Sequence, residues 1–217
     1  MRAVPVPYKW IEKDLRPRFP HLADACLKVY EIEKSVVATK QLKIDDLVLL
    51  EGFCRNNSSI LSEFAASVVG SFAEDIAEAR MALINLSGDK RINARINALV
   101  ALHDCGTVQV REQVLRIALR DKSARVRQLA ACKVQGFLLH SLLEELEGAI
   151  AREGDVFCRQ AMIFSSCLLK DGYFLDHLTS GAVRLTLVVK NGIRSTVHSA
   201  NDFREKGLTC LIQELIS

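Results

Sequence analysis

Asp121-Lys122-Ser123-Ala124-Arg125-Val126-Arg127-Gln128-Leu129-Ala130-Ala131 has a counterpart 32 residues away on either side. Arg95, Arg127 and Arg159 stand 32 apart, and each follows an acid by six positions: Asp89, Asp121 and Glu153. Apolar columns keep the same period: Ala66, Ala98 and Ala130; Val110, Leu142 and Phe174; Val114, Leu146 and Leu178; and Leu86, Ala118, Ile150 and Ala182. Chance rarely aligns so many columns at one offset, and a period of this size marks an array of stacked supersecondary units.

Within a unit the spacing is helical. Val110, Val114, Ile117 and Ala118 follow the i, i+4, i+7, i+8 pattern that places one apolar stripe on one helix face. Ile92, Ile96, Leu99 and Leu102 fall broadly on one side of a preceding helix, and Asp104-Cys105-Gly106-Thr107 supplies the turn between the two. Each unit is therefore expected to be a helical hairpin: 58–86, 89–120, 121–152 and 153–182. Ser71-x-x-Glu74, Ser141-x-x-Glu144 and Asp202-x-x-Glu205 carry the capping-box spacing, and each is expected to open a helix. Residues 21–54 add two capping helices. After Ala182 the register fails. Val183-Arg184-Leu185-Thr186-Leu187-Val188-Val189 is β-branched enough for a strand, but a single strand has nothing to pair with, so the expectation is helix. Asn191-Gly192 then makes a stop before a closing helix at 202–216.

These elements predict an all-α fold, a right-handed α-solenoid of stacked antiparallel hairpins. It reads as one domain over 1–217, with an N-terminal arm and capping helices (1–57), about four repeats (58–182) and a C-terminal cap (183–217). Composition agrees. The apolar fraction of 49% suffices for a continuous core, and all four prolines (Pro5, Pro7, Pro17, Pro20) precede the repeats. No run approaches the roughly 18 to 20 apolar residues of a membrane span, and Met1–Lys9 lacks the apolar region of a signal peptide. Seven cysteines (Cys26, Cys54, Cys105, Cys132, Cys158, Cys167, Cys210) form an odd set without a C-x-x-C pair. A reducing, cytoplasmic setting fits them better than disulfides or zinc. Free solenoid ends must be capped, so a monomer is expected.

The segments beginning at Asp121 and at Glu153-Gly-Asp-Val-Phe-Cys-Arg159 resemble the HEAT-repeat (armadillo-like) family in its short bacterial form, with an acid at the inter-repeat turn and Val-Arg on the first helix. The resemblance covers about 58–182 and implies fold far more than function. It implies that Asp89, Asp121, Glu153, Arg95, Arg127 and Arg159 form a structural ladder that caps first helices and links repeats. Glu63 stands where the first repeat should carry its arginine, which marks a degenerate terminal unit.

For chemistry the sequence offers little. There is no Gly-rich phosphate loop, His-Glu-x-x-His or Gly-x-Ser-x-Gly. His103-Asp104-Cys105 has the residue types of a metal or thiol site, but adjacent residues at a helix end point apart. Asp176-His177 and His140 have no partner histidine at ligand spacing. No catalytic residue, metal or cofactor is expected. HEAT-like alkylpurine DNA glycosylases share the architecture, and the resemblance implies that their cleft joins an aspartate with tryptophans. This chain has one tryptophan, Trp10.

Charge is uneven although the net value is only +3. Residues 88–137 hold ten basic against four acidic side chains, and 138–176 three against seven. Lys90, Arg91, Arg95, Lys122, Arg125, Arg127 and Lys133 could supply a phosphate-binding surface, which keeps nucleic acid open as the alternative partner. In the HEAT family the second helices usually line the concave groove. There the signs would alternate: Glu74, Asp75 and Glu78; Arg111, Arg116 and Arg120; Glu144, Glu145 and Glu147. Alternating bands suit a protein partner, because they set register more than raw affinity. The expected function is a noncatalytic interaction scaffold, an adaptor, assembly factor or toxin-neutralising partner, with these groove residues as its contacts.

Overall fold

In the computed structural model, residues 8–189 and 192–216 are described. Met1–Pro7, Lys190, Asn191 and Ser217 lie outside them, and with them Pro5, Pro7 and the asparagine of the expected Asn191-Gly192 stop. The chain divides into two compact units, Met1–Ala130 and Ala131–Ser217.

The first unit is helical throughout its described residues. A short helix α1 (Tyr8–Trp10) runs into a wide turn at Ile11–Leu15, whose two end residues are buried. Helix α2 (Pro20–Thr39) starts with proline at its first position, where the missing N–H is no loss. It ends at Lys40, which takes a left-handed φ of 58° and returns its N–H to the Val36 carbonyl. The helices α3 (Ile44–Cys54), α4 (Ser59–Phe72), α5 (Ala77–Ser87), α6 (Ile92–Ala101) and α7 (Val108–Ala118) follow with short connections.

The expected hairpins at 58–86 and 89–120 are thus α4–α5 and α6–α7. Helices two apart pack on each other: α2 with α4, α4 with α6, α3 with α5, and α5 with α7. Repeat columns become core columns, with Ala66, Ala98, Leu86, Ala118, Val110 and Val114 all buried. Burial of each valine or leucine contributes on the order of 1.5–3 kcal/mol, and of each alanine methyl roughly 0.8 kcal/mol. At Gly70 the backbone of α4 meets α6 so closely that a Cβ would strike the Ala101 carbonyl. Ile92 and Ile117 depart from the expected stripes. They are partly exposed, and Ala94, Asn97 and Ala101 take the inner positions on α6.

Helix α8 (Ala124–Gly136) crosses the division between the units. The second unit continues with a 3₁₀ turn at His140–Leu142, α9 (Leu143–Arg152) and α10 (Val156–Asp171), and α9 packs on α10. Two helices, α8 and α9, lie within the expected repeat at 121–152. The next one is not completed. Gly172, at φ 77°, closes α10 by donating its N–H to the Leu168 carbonyl, and a strand follows in place of a second helix.

Strands β1 (Tyr173–His177), β2 (Val183–Val189) and β3 (Gly192–His198) form an antiparallel sheet in the order β1-β2-β3. The described residues are mostly helical, as expected, but this small sheet departs from an all-α fold, and the expectation of helix at 183–189 is corrected here. β2 does have partners, because Tyr173–His177 and Gly192–His198 flank it in continuous register. Phe174 and Leu178, counted above as helix positions, lie in β1 and its turn. Leu185 and Leu187 pack with Leu211 of α11 (Ala200–Ile216), against Tyr173, Leu175, Phe203 and Ile212. Helix α11 is interrupted at Gly207, whose φ is 74° and ψ 158°.

The capping boxes are also relocated. Ser71 sits inside α4 and donates to the Val68 carbonyl, while α5 opens six residues later at Ala77. Ser141 lies in the turn before α9, whose cap residue is Leu142. Asp202 is the third helical residue of a true box: it accepts from the Ser199 N–H and hydroxyl, both at 2.7 Å, and its own N–H donates to Ser199 Oγ at 3.2 Å.

Candidate functional site

The acids of the repeat turns face two ways at once. Asp89 Oδ1 accepts the Arg91 N–H at 2.9 Å, Asp121 Oδ1 the Ser123 N–H at 2.7 Å, and Glu153 Oε1 the Asp155 N–H at 2.9 Å. Each acid so organises the turn entering the next first helix. Asp121 also takes Arg95 from the preceding repeat, and Asp89 takes Arg55 from the segment before the first repeat. Arg95 Nε reaches Asp121 Oδ2 at 2.6 Å and Nη2 reaches Oδ1 at 3.0 Å, with both side chains about 5% exposed. Arg95 Nη1 also donates to the Asp89 and Lys90 carbonyls at 2.9 and 3.1 Å. Arg127 repeats the carbonyl contact, donating to Asp121 at 2.7 Å. A bidentate, dry pair of this kind fixes geometry tightly.

The first rung has a donor that the 32-residue register does not contain. Glu63 is exposed, and Arg55, just past α3, donates to Asp89 Oδ2 at 2.7 Å and pairs with Glu51 at 3.0 Å. Partial burial acts to raise the pKa of Asp89, but the Arg91 N–H and the Arg55 guanidinium outweigh it and hold the carboxyl below its ordinary value. Arg159 departs from the ladder: it is exposed on α10 and makes no side-chain hydrogen bond among the described residues.

The expected groove residues are scattered in role. Arg111 Nε donates to the Leu102 carbonyl at 3.2 Å, as Arg80 does to the Ala73 and Glu74 carbonyls at 3.1 and 2.9 Å. Both cap the end of the preceding helix. Glu74 belongs to the α4–α5 turn and lies against Gly106, where a Cβ would collide with its carboxylate. Glu78 is exposed in the first turn of α5. Arg116 is exposed and 3.6 Å from Glu112, and Arg120 is exposed just beyond α7. In the second unit, Glu144 is exposed and Glu145 half-buried in the first turn of α9, and Glu147 lies 3.5 Å from Lys170.

The basic block is similarly divided. Arg95 and Arg127 are engaged as above, Arg91 donates to the Arg55 carbonyl at 3.0 Å, and Lys133 lies over the Phe137 ring at 5.8 Å. That leaves Lys90, Lys122 and Arg125 exposed in and beside the turns.

What α3, α5 and α7 offer to solvent is partly apolar. Ile44 and Val48 on α3 are 66% and 64% exposed, Met81 on α5 54%, and Val108 opening α7 46%. Val48 and Met81 hold the same place in their helices, one turn after the first residue.

A cleft of about 160 Å³ opens in the first unit between α2, the C-terminal half of α4 and the loop after α6. Val36, Phe64, Val68 and Phe72 floor it, and Glu33, Asp75, Asp104 and Lys40 line its edge. Its two serine hydroxyls are occupied: Ser67 donates to Asp104 at 2.6 Å and Ser71 to the Val68 carbonyl. The buried Cys105 thiol meets the Thr107 carbonyl at 3.9 Å, and His103 is exposed. Sequence spacing could not find this cleft, because its residues come from three separate hairpins. Comparison with protein-family models, with curated proteins and with solved structures finds no match to this chain.

Proposed function

We propose that the protein is a noncatalytic scaffold of the HEAT-like solenoid type that binds another protein through the exposed face of its second helices. The observation that carries this reading is the division of labour between the two helices of a hairpin. Among the polar side chains of the first helices and their turns, Arg95 and Asp121 are engaged in joining one repeat to the next, while Lys90, Lys122 and Arg125 stay exposed. The second helices α3, α5 and α7 pack in succession and present Ile44, Val48, Met81 and Val108 to solvent beside Glu78, Arg116 and Arg120. Apolar contacts rimmed by charge are the composition of a protein-binding patch. Arg111 is withdrawn from the contact set because its guanidinium holds a helix end.

The reading is tested by affinity capture of a partner from native lysate with the full chain and with Met81→Asp, Arg116→Glu and Arg120→Glu. The partner should be lost with these variants and kept with Lys34→Glu, an exposed change on α2. Retention by all three face variants at unchanged affinity, or tight duplex-DNA binding with a steep salt dependence, overturns it.

A further inference from the structure

β3 forms one edge of the sheet in the second unit. An uncovered edge is a template for pairing with another chain, and proteins usually blunt it with lysine, proline or a bulge. β3, Gly192-Ile193-Arg194-Ser195-Thr196-Val197-His198, has neither residue, and its pairing with β2 runs its full length without a bulge.

Register decides which groups face outward. The Val188 N–H donates to the Gly172 carbonyl and the Leu178 N–H to the Ala182 carbonyl. Even-numbered residues of β2 therefore turn their backbone polar groups to β1, and odd-numbered residues turn theirs to β3. Leu187↔Arg194 and Leu185↔Thr196 are then the hydrogen-bonded pairs, and Ile193, Ser195 and Val197 aim N–H and C=O out of the sheet. Among the described residues nothing receives these groups. Leu185 and Leu187 face α11, so the side chains of Ile193, Ser195 and Val197 share the opposite face. Ile193 is 49% and Val197 53% exposed.

We propose that β3 pairs antiparallel with β3 of a second copy, centred on Ser195, to make one six-stranded sheet across a twofold axis. Hydrogen bonding requires that outward-facing residues stand opposite each other. The Ser195 centre satisfies this for all three: Ile193 meets the partner's Val197, Ser195 meets the partner's Ser195, and Val197 meets the partner's Ile193. Arg194 meets the partner's Thr196, so no like charges oppose. A slip of one residue sets inward-facing groups against outward-facing ones, and a slip of two removes an apolar pair. A pattern complementary to itself selects a second copy of this chain over a foreign strand. The contact is short beside a standard interface, so the dimer is concentration-dependent.

The test is sedimentation of the full chain from low to high micromolar concentration. The wild type should rise from 24.1 kDa toward twice that mass. Ile193→Lys with Val197→Lys sets lysine against lysine at both ends and should remain monomeric. Ile193→Lys with Val197→Glu sets each lysine against a glutamate of the other copy and should dimerise, which also shows that substitution at these two sites preserves the strand. A wild type that stays monomeric throughout overturns the proposal. So does dimerisation of the double-lysine variant, or loss of the dimer in the lysine–glutamate variant.

Discussion

Replacing Arg95 with leucine removes both arms of the pair with Asp121 and two donors to the turn carbonyls of Asp89 and Lys90. Asp121 keeps the Ser123 N–H but remains as a carboxylate only about 5% exposed, with its cation gone. Breaking a dry ion pair from one side costs about 3–5 kcal/mol, because the surviving charge stays buried. With a urea slope of about 1–3 kcal/mol per molar, the unfolding midpoint should fall by at least about 1 M. Trp10, the sole tryptophan, lies in the first unit, so its fluorescence reports the unit that contains the pair. The double variant Arg95→Leu with Asp121→Leu removes the stranded charge and should recover most of the loss. A single-variant loss under about 1 kcal/mol, the range of exposed pairs, would refute the assignment of Arg95 as a buried tie between repeats.

Asp89 titrates below its ordinary value in the folded protein, so its stabilisation is complete above the unfolded carboxylate range near about 3.9 and is lost as pH falls through the folded value. Asp89→Asn should lack that acid-side loss and be less stable at neutral pH; an unchanged pH profile of urea midpoints contradicts this. Gly70→Ala should lower the thermal midpoint by the equivalent of about 1–3 kcal/mol, since the Ala101 carbonyl occupies the place of the methyl group, and a neutral result would mean that α4 and α6 separate freely. Burial pushes the thiols of Cys26 and Cys54 up to about 11 and about 12. Mass spectrometry after alkylation under native conditions should find the exposed Cys210 modified first and Cys26 and Cys54 only in denaturant.

The helix pairs α4–α5 and α6–α7 were legible because apolar columns and the spacing of acid and arginine recur at one offset across 58–120. Legibility ended where one element took its reason from another far along the chain. Val183–Val189 reads as a strand only when Tyr173–His177 and Gly192–His198 are known to flank it. Arg55 replaces the missing first arginine from a different helix and a different register, so no column could contain it. Arg111 looked like a groove charge because sequence cannot reveal that a guanidinium folds back onto the carbonyl of Leu102. The Ser199–Asp202 box was readable in principle; the similar spacing of Asp202 and Glu205 shifted it by three residues.

Binding through the second helices is tested most directly by hydroxyl-radical footprinting of the full chain with and without its captured partner. Met81, half exposed and readily oxidised, is the natural reporter. Protection of Met81 and of the exposed faces of α3 and α7, with Val156 and Phe157 at the start of α10 unchanged, is the expected result. Unaltered oxidation of Met81 in a saturated complex would contradict the proposed face.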